Sequence, residues 1–195
     1  MSLATNLSEL TDEELIGEFQ ANNNVEAYEL LVKRYKDPLT NFVYRFVGDR
    51  DVSTDVVQDT MIRFYLHKDS YKSFARFSTW IYTIATNLAK NELKRRKRKN
   101  LFSIHSGEDD ETIDIMDKSA TPDVLADSEI KNRIIQKALS KVKEVYREVV
   151  IMRDVQDLSY EEIAEITGLS IGTVKSRINR GRAQLQKLLK PIYKE

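Results

Sequence analysis

Apolar residues recur along this chain at helical spacing, in blocks separated by polar caps. Thr11 with Glu14 reads as a capping box, Leu10 and Leu15 as its staple, and Asp12 and Glu13 suit the positive end of a helix. A second helix follows Asn24, with Tyr28, Leu31, Val32 and Tyr35 on one face. Asp37 then Pro38 reads as an N-cap with proline at the first helical position, which predicts a third helix through Leu39, Phe42, Val43 and Phe46 as far as Gly48. A fourth runs from about Ser53 to Leu66 and buries Val56, Val57, Thr60, Met61 and Phe64, which leaves Asp55, Gln58, Asp59 and Arg63 facing elsewhere. The fifth and longest has Phe77, Trp80, Ile81, Ile84, Ala85 and Leu88 as its inner stripe. Together these stripes can close a helical bundle of about a hundred residues.

The period then lapses. From Leu101 to about Asp127 the chain is rich in Asp, Glu, Ser and Thr, carries Gly107 and Pro122, and reads as a flexible linker. Helical spacing resumes with Ile130, Ile134, Ile135, Ala138, Leu139 and Val142, and again with Val145, Val149, Val150 and Met152. Ser159 and Glu162 form another capping box, Ile163, Ala164 and Ile166 a short helix, and Gly168 its left-handed end. Ser170 caps a further helix with a buried stripe of Ile171, Val174, Ile178 and Leu185, and small Gly181 lies on the same side, where another backbone can pass close. The expected fold class is all-α. Two helical domains, 1–100 and 130–195, flank an acidic linker at 101–129.

Composition narrows the class without changing it. Six Gly and three Pro in 195 residues are too few for an all-β chain, and the longest apolar run, Val149 to Met152, is far short of the roughly 20 residues that cross a bilayer. With no basic-then-apolar leader at the N-terminus, the expected location is cytoplasmic. Without Cys, and with only His67 and His105, neither a disulfide framework nor a thiolate or imidazole metal site is expected; no cofactor is implied.

Charge changes the picture more. The chain is neutral in sum, yet Lys68 to Lys99 holds ten basic residues against two acids, six of the ten consecutive from Lys94 to Lys99. Leu101 to Glu129 reverses this with nine acids against Lys118, and Ser170 to Lys190 carries six basic residues and no acid. Two polyanion-facing surfaces and a bridge are implied. On the last helix, Thr173, Ser176, Asn179 and Arg180 point away from the stripe, with Lys175, Arg177 and Arg182 on its shoulders. Cap, short helix, glycine turn and acid-free basic helix together make a helix-turn-helix, whose exposed face can enter a major groove, each good bidentate base contact being worth about 1–3 kcal/mol.

Upstream, Ser70 to Asn91 interleaves Tyr71, Phe74, Phe77, Trp80 and Tyr82 with Lys72, Arg76 and Lys90, the mixture that stacks and holds unpaired bases. Phe77 and Trp80 also lie on the inner stripe; for Tyr71, Phe74 and Tyr82 core and ligand roles both stay open. The Lys94 to Lys99 run fits a phosphate-tracking role, a localisation signal or solubilising charge.

Three stretches, DVVQDTMIRFY (Asp55 to Tyr65), FSTWIYTIATN (Phe77 to Asn87) and LSYEEIAEITGLSIGTVKSRINRGRAQL (Leu158 to Leu185), lie in order across both halves, and in them the chain resembles a bacterial sigma factor of the extracytoplasmic-function group. The resemblance implies a non-enzymatic initiation factor with no catalytic residues. Its first domain would melt and read the minus-ten promoter element and its second the minus-thirty-five element. The implied partners are core RNA polymerase, through the beta-prime clamp helices and beta flap, promoter DNA and an anti-sigma factor. By position, the clamp contact falls on Asp55, Gln58 and Asp59, and a flipped-base pocket on the loop around Lys72, Ser73 and Phe74. The minus-ten readers fall on Asn87 and Asn91, with Tyr71, Trp80, Lys90 and Lys94 beside them. The minus-thirty-five readers fall on Lys175, Ser176, Asn179 and Arg180, with Thr173, Arg177 and Arg182 flanking. Many relatives carry Leu-Pro where this chain has Lys141-Val142, Arg at Thr83 and Asp at Asn91. Two rival readings are a helix-turn-helix regulator that binds duplex DNA without polymerase, and a nucleic-acid-processing enzyme using Asp55 and Asp59 as a carboxylate pair.

Overall fold

The structure is a computed structural model that describes residues 6–106 and 124–190. Eight α-helices are found among them: α1 (Asp12–Asn22), α2 (Val25–Val47), α3 (Arg50–Leu66), α4 (Phe77–Ser106), α5 (Val124–Lys141), α6 (Glu144–Asp154), α7 (Tyr160–Thr167) and α8 (Ile171–Leu189). No strand occurs among the described residues.

Local chemistry sets most of the boundaries. At α1 the Thr11 hydroxyl accepts from the Glu14 N–H at 3.2 Å while the Glu14 carboxylate accepts from the Thr11 N–H at 2.8 Å. Ser159 and Glu162 repeat that box at α7, and Gly168 ends the helix at φ 68°, where a Cβ would be strained. α3 begins at Arg50, three residues before the expected start at Ser53, because the Asp49 side chain caps it by accepting from the Val52 N–H. The helices expected to part at Asp37 are one. Pro38 sits inside α2, because burial of Leu31 and Leu39 on either side outweighs the single backbone bond the proline removes. The segment expected to be a linker is helical at both ends, to Ser106 and from Val124; its centre, 107–123, lies outside the described residues.

α1 to α4 close around Phe19, Phe42, Phe46, Phe64 and Phe77, with Phe64 meeting Phe19, Phe77 and Trp80 edge-on at 5.2–5.9 Å between ring centres. α5 to α8 bury Leu139, Val149, Ile151, Met152, Ile163, Val174 and Ile178. These two sets form one continuous apolar cluster. Polar contacts tie them further: the Gln136 amide of α5 donates to the Tyr44 and Arg45 carbonyls at the end of α2, at 3.2 and 3.3 Å, and the Arg147 guanidinium lies 5.5 Å over the Phe46 ring.

Candidate nucleic-acid interface

α4 divides its circumference three ways. Phe77, Ile81, Ala85 and Leu88 face the first helix group, as their spacing predicts, with Trp80 and Ile84 partly buried beside them. A second row faces the other half of the molecule. On it the Tyr82 hydroxyl donates to Gln156 at 2.7 Å, and the Lys90 ammonium lies 2.7 Å from a Glu148 carboxylate oxygen. Lys97 completes the row by pairing with Glu144. Burial pushes the Glu148 carboxyl above its ordinary value against the pull of Lys90, and burial likewise pushes up the Tyr82 phenol. The third row stays open: Asn87, Asn91 and Lys94 are exposed, at the i, i+4 and i+7 spacing that puts them on one face.

The loop 71–76 immediately precedes α4. Phe74 is 91% exposed at its tip, with Lys72 and Ser73 exposed beside it. Tyr71, expected to meet DNA, is instead core. It is 4% exposed, its ring packs on Phe77 and Trp80, and its hydroxyl donates to the Ala75 carbonyl at 2.7 Å, so neither face nor hydroxyl is free. Trp80 is partly buried, edge-on to Phe64. Of the consecutive basic residues, Arg95 and Arg96 pair with Glu92, Arg96 also with Asp49, and Lys97 with Glu144. Arg95 leads in holding the Glu92 carboxyl below its usual range. Lys94, Arg98 and Lys99 are exposed and make no ion pair among the described residues.

On α3, Asp55, Gln58 and Asp59 are exposed, as their place off the stripe requires, and no ion pair engages them among the described residues. The apolar pattern gives no warning that the same outer side continues into Ile62, Tyr65 and Leu66, which are 47%, 47% and 67% exposed. Acidic at one end and apolar at the other, this face suits a helix that is basic and apolar in turn.

α8 is the last helix of the group α5 to α8 and packs against the other three. Val174, Ile178 and Gly181 are buried and Leu185 packs against the core, whereas Ile171, in the first turn, is 40% exposed rather than part of the stripe. Lys175, Ser176, Asn179 and Arg180 are exposed; Thr173 and Arg177 are half-buried. Lys175 lies over the Tyr160 ring at 5.5 Å, and the Thr173 N–H is taken by the Ser170 cap. The Arg182 guanidinium is already committed to both oxygens of Asp154. Arg180 approaches Tyr146 and, by hydrogen bonding, leads in drawing its phenol below the ordinary value. Among the described residues, no cluster of three or more His, Cys, Asp and Glu could hold a metal ion, and no helix is long and apolar enough to cross a membrane.

Family models match this chain in two places: Sigma-70 region 2 over residues 31–99 and Sigma-70, region 4 over residues 132–185. The chain is 34% identical over 171 residues to the ECF RNA polymerase sigma factor SigW of Bacillus subtilis (strain 168), covering 86% of this chain and 91% of the relative. It is 34% identical over 189 residues to the ECF RNA polymerase sigma-E factor of Escherichia coli (strain K12), covering 95% and 98%. The sigma factor RpoE of Bartonella quintana, solved in complex with the anti-sigma factor NepR, superposes with a TM-score of 0.67 at 28% identity, over 84% of this chain and 96% of that one. CnrH, solved in complex with the cytosolic domain of CnrY, shares the fold at a TM-score of 0.70 and 22% identity, over 92% and 97%.

Proposed function

The chain belongs to the extracytoplasmic-function group of the sigma-70 family, and from that premise we infer how its surfaces share the work of promoter-directed initiation. As a sigma factor it binds core RNA polymerase and directs it to promoters; in this reading those promoters belong to an envelope or extracytoplasmic stress regulon. It acts in the cytoplasm, where polymerase and DNA meet. Polymerase supplies the phosphodiester chemistry; this chain supplies position and strand separation.

In this reading Asp55, Gln58 and Asp59, with Ile62 and Leu66 beyond them, dock on the polymerase clamp. The open row Asn87, Asn91 and Lys94 lies along the minus-ten strand, and the loop around Lys72, Ser73 and Phe74 receives an unpaired base. Stacking on an aromatic contributes about 1–3 kcal/mol per base, comparable to the few kcal/mol of taking a base out of the duplex. The α7–α8 pair reads minus-thirty-five duplex through Lys175, Ser176, Asn179 and Arg180, with Thr173, Arg177 and Arg182 at the edge. Residues 1–100 and 130–195 are the two working domains. An anti-sigma protein is the natural negative partner, as NepR is for the similar RpoE.

The observation that carries this reading is Phe74, 91% exposed in the loop that precedes α4. A regulator that binds only closed duplex has no use for such a ring. The test is direct. Asp55→Lys with Asp59→Lys should abolish co-purification with core polymerase and run-off transcription while leaving helicity unchanged. Retained binding refutes the docking assignment.

A further inference from the structure

Apart from the exposed Arg76, which pairs with Glu162 of α7 at 3.0 Å, the loop between α3 and α4 makes few contacts of its own. Within it the Ala75 N–H donates to the Lys72 carbonyl at 3.1 Å, and the Tyr71 hydroxyl bridges to Ala75. Its stem, in contrast, is fastened to α1 on both sides. On the incoming side the Lys68 ammonium reaches the C-terminal end of α1, where it donates to the Phe19 carbonyl at 2.8 Å and to the Asn23 side-chain oxygen, and sits 4.5 Å from the centre of the Phe19 ring. The Phe19 carbonyl is one that the helix end leaves unpaired, and the negative pole of the helix favours a cation there. The Gln20 amide answers from α1, donating to the Lys68 carbonyl at 2.7 Å and the Tyr71 carbonyl at 3.2 Å. On the outgoing side, Glu13 in the first turn of α1 accepts from the Phe77 N–H at 3.0 Å and so caps α4 across the bundle.

This reciprocal pair occupies the base of the loop and leaves its tip unsupported. Neither Lys68 nor Gln20 points at solvent where a nucleic acid would lie. Both are half-buried, and their hydrogen bonds end on α1, on its capping residue Asn23 or on the loop stem. A fixed stem sets where the Phe74 ring stands before any base arrives, which lowers the ordering cost of binding and makes the ring's position selective.

We propose that Lys68 and Gln20 are positioning residues for base capture: they fasten the loop stem to α1 so that Phe74 is presented in one place. The proposal rests on the reading that this loop receives an unpaired base. It is tested with the full chain assembled on core polymerase, using a non-template minus-ten strand that carries 2-aminopurine, or an abasic site, at the position facing the loop. Lys68→Met keeps the aliphatic stem and removes the ammonium. It should reduce the preference for a base over an abasic site about tenfold, with binding to core and to minus-thirty-five duplex held within about twofold. Lys68→Arg should restore most of that preference, and Gln20→Leu should repeat the loss, which keeps the test decisive if Lys68→Met fails to fold. Because Lys68 acts through the ring, the double variant Lys68→Met with Phe74→Ala should bind no worse than Phe74→Ala alone. An unchanged preference in Gln20→Leu, an equal weakening on base and abasic strands, or additive losses in the double variant would overturn the proposal. If Phe74→Ala alone changes the preference and the stem variants do not, the stem is idle but the loop reading stands. If Phe74→Ala changes nothing, the loop reading falls, and the stem proposal with it.

Discussion

A methyl group placed on Gly181 has no room. The Cβ of Gly181→Ala falls 2.4 Å from Val150 Cγ2, 3.2 Å from the Tyr146 carbonyl oxygen and 3.3 Å from Tyr146 Cβ, all on α6. Val150 is 2% exposed, so its methyl cannot swing into solvent, and the carbonyl belongs to a helix backbone. Two effects oppose each other. Alanine in a helix interior is about 1 kcal/mol better than glycine, whereas overpacking a filled core costs about 1–3 kcal/mol. Contact with both a buried methyl and a main-chain oxygen puts the cost near the top of that range, so the net loss should be about 1–2 kcal/mol. Urea unfolding of the full chain, followed by circular dichroism, measures it. The cause can be isolated, since Val150→Ala removes the nearest atom. Gly181→Ala with Val150→Ala should then be about 1 kcal/mol more stable than the sum of the two single losses. Gly17→Ala is the control: no atom lies within 4 Å of its Cβ, so the same exchange in α1 should stabilise by about 0.4–1 kcal/mol. A Gly181→Ala chain as stable as the parent, or a strictly additive pair, would refute a close seam between α6 and α8.

Two further outcomes follow from charged groups. At Glu162, burial alone would raise the carboxyl, but the Ser159 hydrogen bonds and Arg76 together hold it below its ordinary value. Its contribution is therefore complete above the usual carboxylate range and is lost as pH falls through the lowered value, so melting temperature should drop in acid, and Glu162→Gln should flatten that drop. A profile unchanged by Glu162→Gln would show that this carboxyl does not set the acid limit. Removing the carboxylate beside Lys90 should loosen the contact between the two helix groups. Glu148→Ala is expected to weaken it by about 1–2 kcal/mol, between the values for exposed and enclosed pairs, and small-angle scattering should then report a larger radius of gyration. An unaltered radius would make the pair a bystander.

Features that depend on near neighbours along the chain are legible in the sequence. Both capping boxes, the α3 stripe from Val56 to Phe64 and the close passage at Gly181 follow from spacing alone. What eludes the pattern depends on partners distant in the chain. Asp37-Pro38 is a sound local start signal, but the packing of Leu31 and Leu39 overrides it. The row of α4 through Tyr82, Lys90 and Lys97 has no meaning until Gln156, Glu148 and Glu144 are laid against it, and the basic run gives no hint that Glu92, Asp49 and Glu144 engage half of it. Spacing allows Tyr71 to be either core or ligand; enclosure by Phe77 and Trp80 decides for core. Lys68 and Gln20 carry no motif, since a lysine closing a helix end in space looks in sequence like any other surface cation.

Lys90 has one positive charge and two claimants. Glu148, enclosed at 3% exposure, holds it now, and any nucleotide phosphate approaching that row would have to displace a carboxylate tethered in the same polypeptide. A tethered rival is present at high effective concentration and cannot be diluted away, so the free chain should look like a poorer DNA binder than its own residues would make it. Added salt weakens both rivals at once, which would blunt the steep ionic-strength dependence that a bare cationic groove displays.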